Sequence, residues 1–293
     1  MTRLAPALFV LLWSTGFIVA RAIAGHTAPA LFLTARFALA ALLLAALARL
    51  ARVAWPRGRR LAGHLAAGAL LHGFYLTASY QAVALGLSPG VMALIGSLQP
   101  PLTALLAMAL YGRKPGKRLV AGMAAALGGV LLAVWPGPTA GIAMPLLPLG
   151  LAFCAMASIT AGTLLQQTTL AAADLRAAGA LQHAGAALVA FLLTIICGDW
   201  RFAPSATVLG ALGWSVAGLS LGGAGLLVWL VRRGEAAGTV SLLFLAPPLA
   251  ALQAWLYFGT PVGRLQLAGF TLALGGVIAA RRKERVSPRR GSP

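Results

Sequence analysis

Acidic residues are almost missing from this sequence. Four of its 293 residues are Asp or Glu, against 23 Lys or Arg, and charged residues of both signs make up only 9%. Soluble domains carry roughly 25% charged residues, so this chain has little surface to offer to water. With 60% hydrophobic residues, it is predicted to be an integral membrane protein. The net charge of +19 does not predict a nucleic-acid partner, because the basic residues lie between apolar runs.

Groups that carry catalysis or bind metals are also scarce. The two cysteines, Cys154 and Cys197, lie inside apolar runs and do not predict a disulfide framework. The sequence contains no cluster of metal ligands, no Ser/His/Asp set and no phosphate-binding loop. We therefore expect no catalytic residue, no metal and no cofactor, and the protein is not predicted to be an enzyme.

The positions of the acids bear on energy coupling. All of them fall in predicted loops or in the tail: Asp174, Asp199, Glu235 and Glu284. Proton and sodium coupling usually use carboxylates inside the membrane, so a carboxylate-driven symporter or pump is not expected. Facilitated diffusion or exchange is the simpler prediction, and a proton relay through histidine stays open because histidine titrates near neutral pH.

The chain contains an internal duplication. Residues 98–130 and 245–277 align without a gap at an offset of 147, and 16 of these 33 positions are identical. The offset is about half the chain, so the repeat unit is predicted to be half of the protein.

Apolar runs long enough to cross a bilayer predict an all-α membrane protein with ten transmembrane helices, numbered here as segments 1 to 10. A spanning helix needs about 20 largely apolar residues. The duplication divides the chain into a first five-helix repeat, 1–144, a second five-helix repeat, 145–280, and a disordered basic tail, 281–293. The segments are 4–23, 29–50, 61–85, 89–111, 118–135, 145–166, 177–198, 206–231, 236–258 and 262–280.

Basic residues predict the orientation. With the N-terminus inside, the inner loops and the tail hold 19 of the 23 Lys and Arg, and the outer loops hold three, Arg21, Arg201 and Arg264. Lys and Arg favour the cytoplasmic side, so both termini are predicted to be cytoplasmic. Because each repeat has an odd number of helices, the two repeats are predicted to lie in opposite orientations. Inverted repeats are common in secondary transporters, although a duplicated structural protein would also fit.

On these motifs the chain resembles the EamA-type members of the drug/metabolite transporter superfamily, which have ten helices in two five-helix halves. In such proteins a Glu commonly follows the Gly that ends helices 4 and 9, where this chain has Arg113 and Thr260. The motifs that carry the resemblance are Pro100-Pro101 and Pro247-Pro248, the turn residues Gly112 and Gly259, Gly128-Gly129-Val130 and Gly275-Gly276-Val277, Trp13-Ser14-Thr15-Gly16-Phe17, and Arg36-Phe37.

The resemblance implies a transporter that exports metabolites such as amino acids across a bacterial inner membrane. It also implies that helices 1, 3, 4, 6, 8 and 9 line the path. The expected partners are a small-molecule substrate and the lipid bilayer, with the protein a monomer or homodimer. The abundance of aromatic residues and the lack of acids favour neutral, zwitterionic or aromatic solutes. A lipid-handling, flippase-like protein or a non-transporting membrane scaffold is the alternative.

Several polar and aromatic residues inside the segments are candidates for binding substrate. His72, Tyr75 and Ser79 fall on one face of an α-helix, where facing lipid would be costly; they face a cavity or form an interhelix hydrogen-bond set. Tryptophans deep in a helix must pair their N–H or face a cavity. The complete predicted set is Trp13, Ser14, His72, Tyr75, Ser79, Gln99, Thr163, Trp214 and Phe244.

Two further groups are singled out by the repeat. Proline kinks a helix, so Pro100, Pro101, Pro247 and Pro248 are either hinges beside a substrate cavity or static kinks. Arg36 and His183 occupy matched positions in segments 2 and 7. Arg36 either binds the carboxylate of a substrate or reaches the interface and helix-end carbonyls by snorkelling.

Overall fold

The structure is a computed structural model, and it describes residues 5–110, 112, 114–135, 145–169, 173–223, 226, 245–260 and 262–281. Within these ranges the regular structure is helical apart from one isolated antiparallel bridge between Thr27 and Phe202. In chain order the helices are α1 Ala5–Ser14, α2 Gly16–Ile23, α3 Pro29–Leu50, α4 Arg59–Gly68, the π-helix π1 Ala69–Phe74, α5 Tyr75–Ala84, α6 Pro89–Gly96, α7 Gln99–Leu110, α8 Lys117–Val134, α9 Leu146–Thr169, α10 Leu175–Cys197, α11 Ala206–Trp214, the π-helix π2 Ser215–Gly223, α12 Ala246–Phe258 and α13 Arg264–Arg281.

The protein is a multi-pass membrane protein, as its composition predicts. Six helical stretches among the described residues are long and apolar enough to span a bilayer, and two more are apolar but shorter, Ala7–Ile23 and Arg264–Ala280. Large apolar side chains on the outside, such as Leu50 and Ile196, are 81% and 77% exposed, and a surface of this kind suits lipid rather than water. The six longer stretches are Pro29–Leu50, Pro89–Leu106, Lys117–Val134, Leu146–Gln166, Leu175–Cys197 and Ala206–Gly223.

Helix ends follow local sequence signals. Ser88 caps α6 by accepting a hydrogen bond from the backbone N–H of Val91, and Pro89 occupies the first turn, where a missing N–H costs nothing. Gly112 and Gly259, which are 147 residues apart, both have φ of 65°. This left-handed conformation favours glycine, so a left-handed glycine follows the proline-containing helix in both halves.

The carboxylate of Asp174 caps α10. It accepts hydrogen bonds from the backbone N–H and the guanidinium of Arg176, and the Arg176 side chain lowers the pKa of this carboxyl. A carboxyl whose pKa is lower in the folded protein stabilises the fold above its unfolded-state pKa of roughly 3.9. That contribution is lost as the pH falls through the folded-state pKa.

We therefore expect Asp174→Ala to lower the free energy of unfolding by about 1 kcal/mol at pH 7, because an N-cap is lost. The difference from the wild type should shrink below about pH 4, where the wild-type carboxyl also becomes protonated. Thermal unfolding of the purified protein between pH 7 and 3 measures both effects. Asp199→Ala is the control, because Asp199 also pairs with an arginine, Arg201, yet it caps no described helix. An equal loss in both variants would contradict the capping role.

The last described helices of the two halves, α8 and α13, cross at close range. A Cβ atom on Gly122 would lie 2.5 Å from the carbonyl oxygen of Gly276, and one on Gly276 would lie 2.5 Å from that of Gly122. Gly129 and Gly269 stand in the same reciprocal relation at 2.6 Å. Since Gly122 faces Gly276 and Gly129 faces Gly269, the two helices run in opposite directions. Small residues permit this close approach of backbones.

Among the described residues, the helices are irregular at two interruptions and at two π-helices. Segment 1 is interrupted at Thr15, between α1 and α2, and segment 4 at Ser97 and Leu98, between α6 and α7. The second interruption directly precedes Pro100-Pro101, which lack the N–H groups that would bond the carbonyls four residues earlier. The two π-helices begin at nearly equivalent positions in the repeat, π1 at residue 69 and π2 at residue 215. π-helical turns are rare and frequently occur at functional sites.

Candidate functional site

A cavity of about 90 Å³ lies between the two interrupted segments. Trp13, Ser14 and Phe17 line it from one interruption, and Gly96, Ser97, Gln99 and Pro100 from the other. Tyr75 at the start of α5, Ile159 on α9, and Ala93 and Ala246 complete the lining. The lining residues include no charged side chain, so the cavity suits a solute that is apolar or hydrogen-bonding where it contacts these walls.

The aromatic part of the wall comes from three side chains. Trp13 packs against Phe9 with ring centroids 5.5 Å apart. Its side chain is 39% exposed, whereas Tyr75 and Phe17 are each 7% exposed. Aromatic rings offer large apolar faces with well-defined stacking geometry. The cavity therefore has an aromatic wall, of which Trp13 is the most exposed part.

The polar part of the wall is held by an interhelix hydrogen bond. The side-chain amide of Gln99 donates from Nε2 to Oγ1 of Thr163, with 2.9 Å between them. Thr163 in turn donates to the backbone carbonyl of Ile159. Because Thr163 fixes the amide of Gln99, the side-chain oxygen of Gln99 keeps its capacity to accept a hydrogen bond from a solute.

Three consecutive residues at the interruption of segment 1 each bond a side chain from a different helix. Gln253 on α12 donates from Nε2 to Oγ of Ser14 at 2.9 Å. Trp214 on α11 donates from Nε1 to Oγ1 of Thr15 at 2.9 Å. Tyr80 on α5 donates its hydroxyl to the carbonyl of Gly16 at 3.1 Å. Segment 1 is thus hydrogen-bonded at its interruption to helices from both halves of the protein.

Of the three residues that the sequence places on one helix face, the structure has Tyr75 and Ser79 four residues apart in α5 and His72 in π1. Tyr75 lines the cavity, but His72 lies in π1 and stacks on His183 with ring centroids 5.0 Å apart. Ser79 is fully buried and donates to the carbonyl of Tyr75. The predicted face assumes α-helical spacing, but a π-helix turns less per residue, so His72 is displaced from the face that Tyr75 and Ser79 share.

Trp214 does not line the cavity either. It is 43% exposed, and its N–H is paired with Thr15, so the requirement to pair a buried indole N–H is met by a hydrogen bond between helices. Phe244 lies outside the described residues. Pro101 and Pro247 are buried and Pro248 is half-buried, while Pro100 alone of the four prolines contributes to the cavity wall.

Arg36 is buried, with 6% of its surface exposed, which rules out snorkelling. Its Nε donates to Oγ of Ser220 at 3.3 Å and its Nη1 to the hydroxyl of Tyr80 at 3.2 Å. Its guanidinium carbon lies 5.7 Å from the ring centre of Phe37, and that ring also contacts the imidazole of His183 at 6.0 Å. The matched pair Arg36 and His183 is therefore brought together around Phe37.

Phe17 and Gln253 are among the wall and support residues that lie outside the predicted set. Phe17 belongs only to the motif at residues 13–17, and Gln253 belongs to none of the motifs. The sequence could have indicated a role for Gln253, because an amide in an apolar transmembrane segment is costly unless it forms a hydrogen bond. Its side-chain oxygen is buried and has no partner among the described residues, so this side chain has hydrogen-bonding capacity left over beside Ser14.

The comparisons with known proteins concern the family and the fold. Residues 4–135 match the model of the EamA-like transporter family. The resemblance drawn from the sequence motifs is therefore confirmed over these residues. A solved structure, described only as the crystal structure of a protein, is similar over 95% of this chain and 96% of its own chain, with a TM-score of 0.65 and 18% sequence identity. At this identity the likeness concerns the fold. None of the curated proteins matches this chain.

Proposed function

We propose that this protein, a member of the EamA-like transporter family, is a secondary transporter that exports small organic metabolites. The solutes are amino acids or similar neutral, zwitterionic or aromatic molecules. The observation that carries the proposal is the cavity between two interrupted helices, with aromatic walls and uncharged hydrogen-bonding groups. Ligand sites of this composition bind small organic molecules, and irregular backbone inside a membrane protein occurs where it is buried or lines a cavity.

The proposal includes an inverted-repeat architecture of ten helices in two five-helix halves. The reciprocal contacts of α8 and α13 support it, because Gly122 and Gly269 are repeat mates, as are Gly129 and Gly276. A contact between Gly122 and Gly276 becomes the contact between Gly269 and Gly129 when the halves are exchanged. Two equivalent helices that cross in opposite directions in this way are related by a local twofold axis.

Alternating access is the proposed mechanism. The interruptions at Thr15 and before Pro100 place weakened backbone beside the cavity, where a change in φ and ψ at few residues can reorient a helix half. Pro100, Pro101, Pro247 and Pro248 act as hinges in this scheme. Trp13, Ser14, Tyr75 and Gln99 contact the solute, and Thr163 positions the amide of Gln99.

The lack of carboxylates in the described helices supports facilitated diffusion or exchange rather than cation coupling. The distribution of Lys and Arg supports a bacterial inner-membrane location with both termini in the cytoplasm. Impermeant labelling of a cysteine or tag at each end, on intact and on opened cells, tests the orientation. Termini on opposite faces of the membrane would overturn the inverted repeat.

Transport itself is tested with the purified full chain in proteoliposomes. Vesicles loaded with radiolabelled amino acids and other small metabolites are expected to release at least one of these solutes faster than protein-free vesicles do. An unlabelled solute of the same kind outside should accelerate release if exchange operates, and collapsing proton or sodium gradients should not abolish it. Folded protein that releases no solute above background would overturn the proposal. Fluorescent-lipid scrambling by the same vesicles would identify a lipid-handling protein instead.

A further inference from the structure

Arg36 carries a positive charge that no carboxylate in the described part of the chain neutralises. It is 6% exposed, and its hydrogen-bond partners are the neutral hydroxyls of Ser220 and Tyr80. Asp174 and Asp199 lie in loops and are paired with Arg176 and Arg201 at 3.0 Å and 2.7 Å. The remaining acids of the sequence, Glu235 and Glu284, lie outside the described residues.

A guanidinium offers five N–H donors in a planar fork and stays protonated in proteins. Only two of the five donors have acceptors here, and both hydrogen bonds, at 3.2 and 3.3 Å, are long. Nη2 has no protein acceptor among the described residues. Buried charges are normally paired, and arginine inside a membrane normally faces a partner or a water-filled space. Arg36 therefore has both the charge and the free donors to hold an anion.

The helices around Arg36 belong to both halves of the protein. Arg36 is on α3, Tyr80 on α5 and Ser220 on π2, and Tyr80 continues the connection to the carbonyl of Gly16 at the break of segment 1. Gly16 is adjacent to Phe17, which lines the cavity. A charge at this junction therefore lies one layer behind the cavity wall, where a low-dielectric surrounding strengthens its attraction for a negative group.

We propose that Arg36, with the hydroxyls of Tyr80 and Ser220, forms a binding site for a small monovalent anion. The ligand chemistry is that of a halide ion or a single carboxylate, and the source is either free anion or the carboxylate of a solute. The hydroxyls of Tyr80 and Ser220 accept from the guanidinium and so hold the fork in place, which leaves Nη2 and the second proton of Nη1 for the anion. This site does not rest on the proposed transport function.

The test measures thermal unfolding of the full chain in lipid nanodiscs at constant ionic strength. Chloride, or acetate in a separate arm, replaces isethionate, a large sulfonate. The wild-type midpoint is expected to rise by roughly 2–4 °C when the anion is at about ten times its dissociation constant, and to rise further with the logarithm of the anion concentration. Arg36→Gln should lose this shift. Arg201→Gln should keep it, because Arg201 is exposed and already paired with Asp199.

The two arms distinguish the sources. A shift with acetate but not with chloride assigns the site to carboxylates, and the reverse assigns it to halides; either supports an anion site that requires Arg36. No shift with either anion, or the same shift in Arg36→Gln, overturns it. Should Arg36→Gln fail to fold, Tyr80→Phe carries the test. It keeps the charge but removes one of the two hydroxyls that hold the guanidinium fork in place, so the anion-dependent shift must be smaller than in the wild type, and an unchanged shift overturns the site.

Discussion

Gly129→Ala is expected to destabilise the protein by about 3 kcal/mol. A Cβ atom there would meet the backbone of α13, with the carbonyl oxygen of Gly269 only 2.6 Å away. Backbone atoms cannot move aside as a flexible side chain can, so α8 and α13 must separate along their whole crossing. Since this crossing joins the two halves, we expect lost yield of folded protein and a lower unfolding midpoint, measured by size-exclusion chromatography and thermal unfolding.

Gly128→Ala is the matched control for this prediction. Gly128 precedes Gly129 in the same helix, and a Cβ atom on it would have no heavy atom within 4 Å. The change in helix propensity is the same for both variants and favours Ala by up to about 1 kcal/mol. Gly128→Ala should therefore be neutral or slightly stabilising. If both variants melted together, the crossing would not be as close as the structure has it.

Trp13→Ala is expected to lower the rate of solute transport at least about tenfold, which corresponds to about 1.4 kcal/mol of lost interaction. Trp13 lines the cavity and packs against Phe9, and an aromatic contact is worth about 0.5–1.5 kcal/mol in addition to the apolar area that it buries. The measurement is the initial rate of release from proteoliposomes for the best solute of the panel, with protein folding checked in the same preparation.

Trp255→Ala is the control for Trp13→Ala. Trp255 lies on α12 with 51% of its surface exposed, and it does not line the cavity. The Trp255→Ala variant also loses an indole side chain, but from the outer surface of the protein. Its transport rate should therefore stay within about twofold of the wild type. Equal loss of transport in both variants would show that Trp13 acts through general stability, and it would remove the cavity from the proposed mechanism.

Much of the fold could be predicted from the sequence because a bilayer allows few solutions. Apolar runs of about 20 residues become helices when no water is present to bond the backbone. The observed helices Pro29–Leu50, Lys117–Val134 and Leu175–Cys197 agree with segments 2, 5 and 7 to within two residues. Several wall residues were also predicted, because Trp13, Ser14, Tyr75 and Gln99 are polar or aromatic groups within apolar helices, where facing lipid is costly.

The tertiary structure alone decided which of the polar residues meet. α-Helical spacing predicts His72 on the face of Tyr75, but the π-helix at residues 69–74 turns His72 towards His183, and such a turn depends on packing rather than on any local motif. The pairs Gln99 with Thr163, Gln253 with Ser14, and Arg36 with Ser220 join residues 64, 239 and 184 positions apart. Hydropathy determines that a polar side chain must find a partner away from lipid; only the packing of the helices determines which partner is within reach.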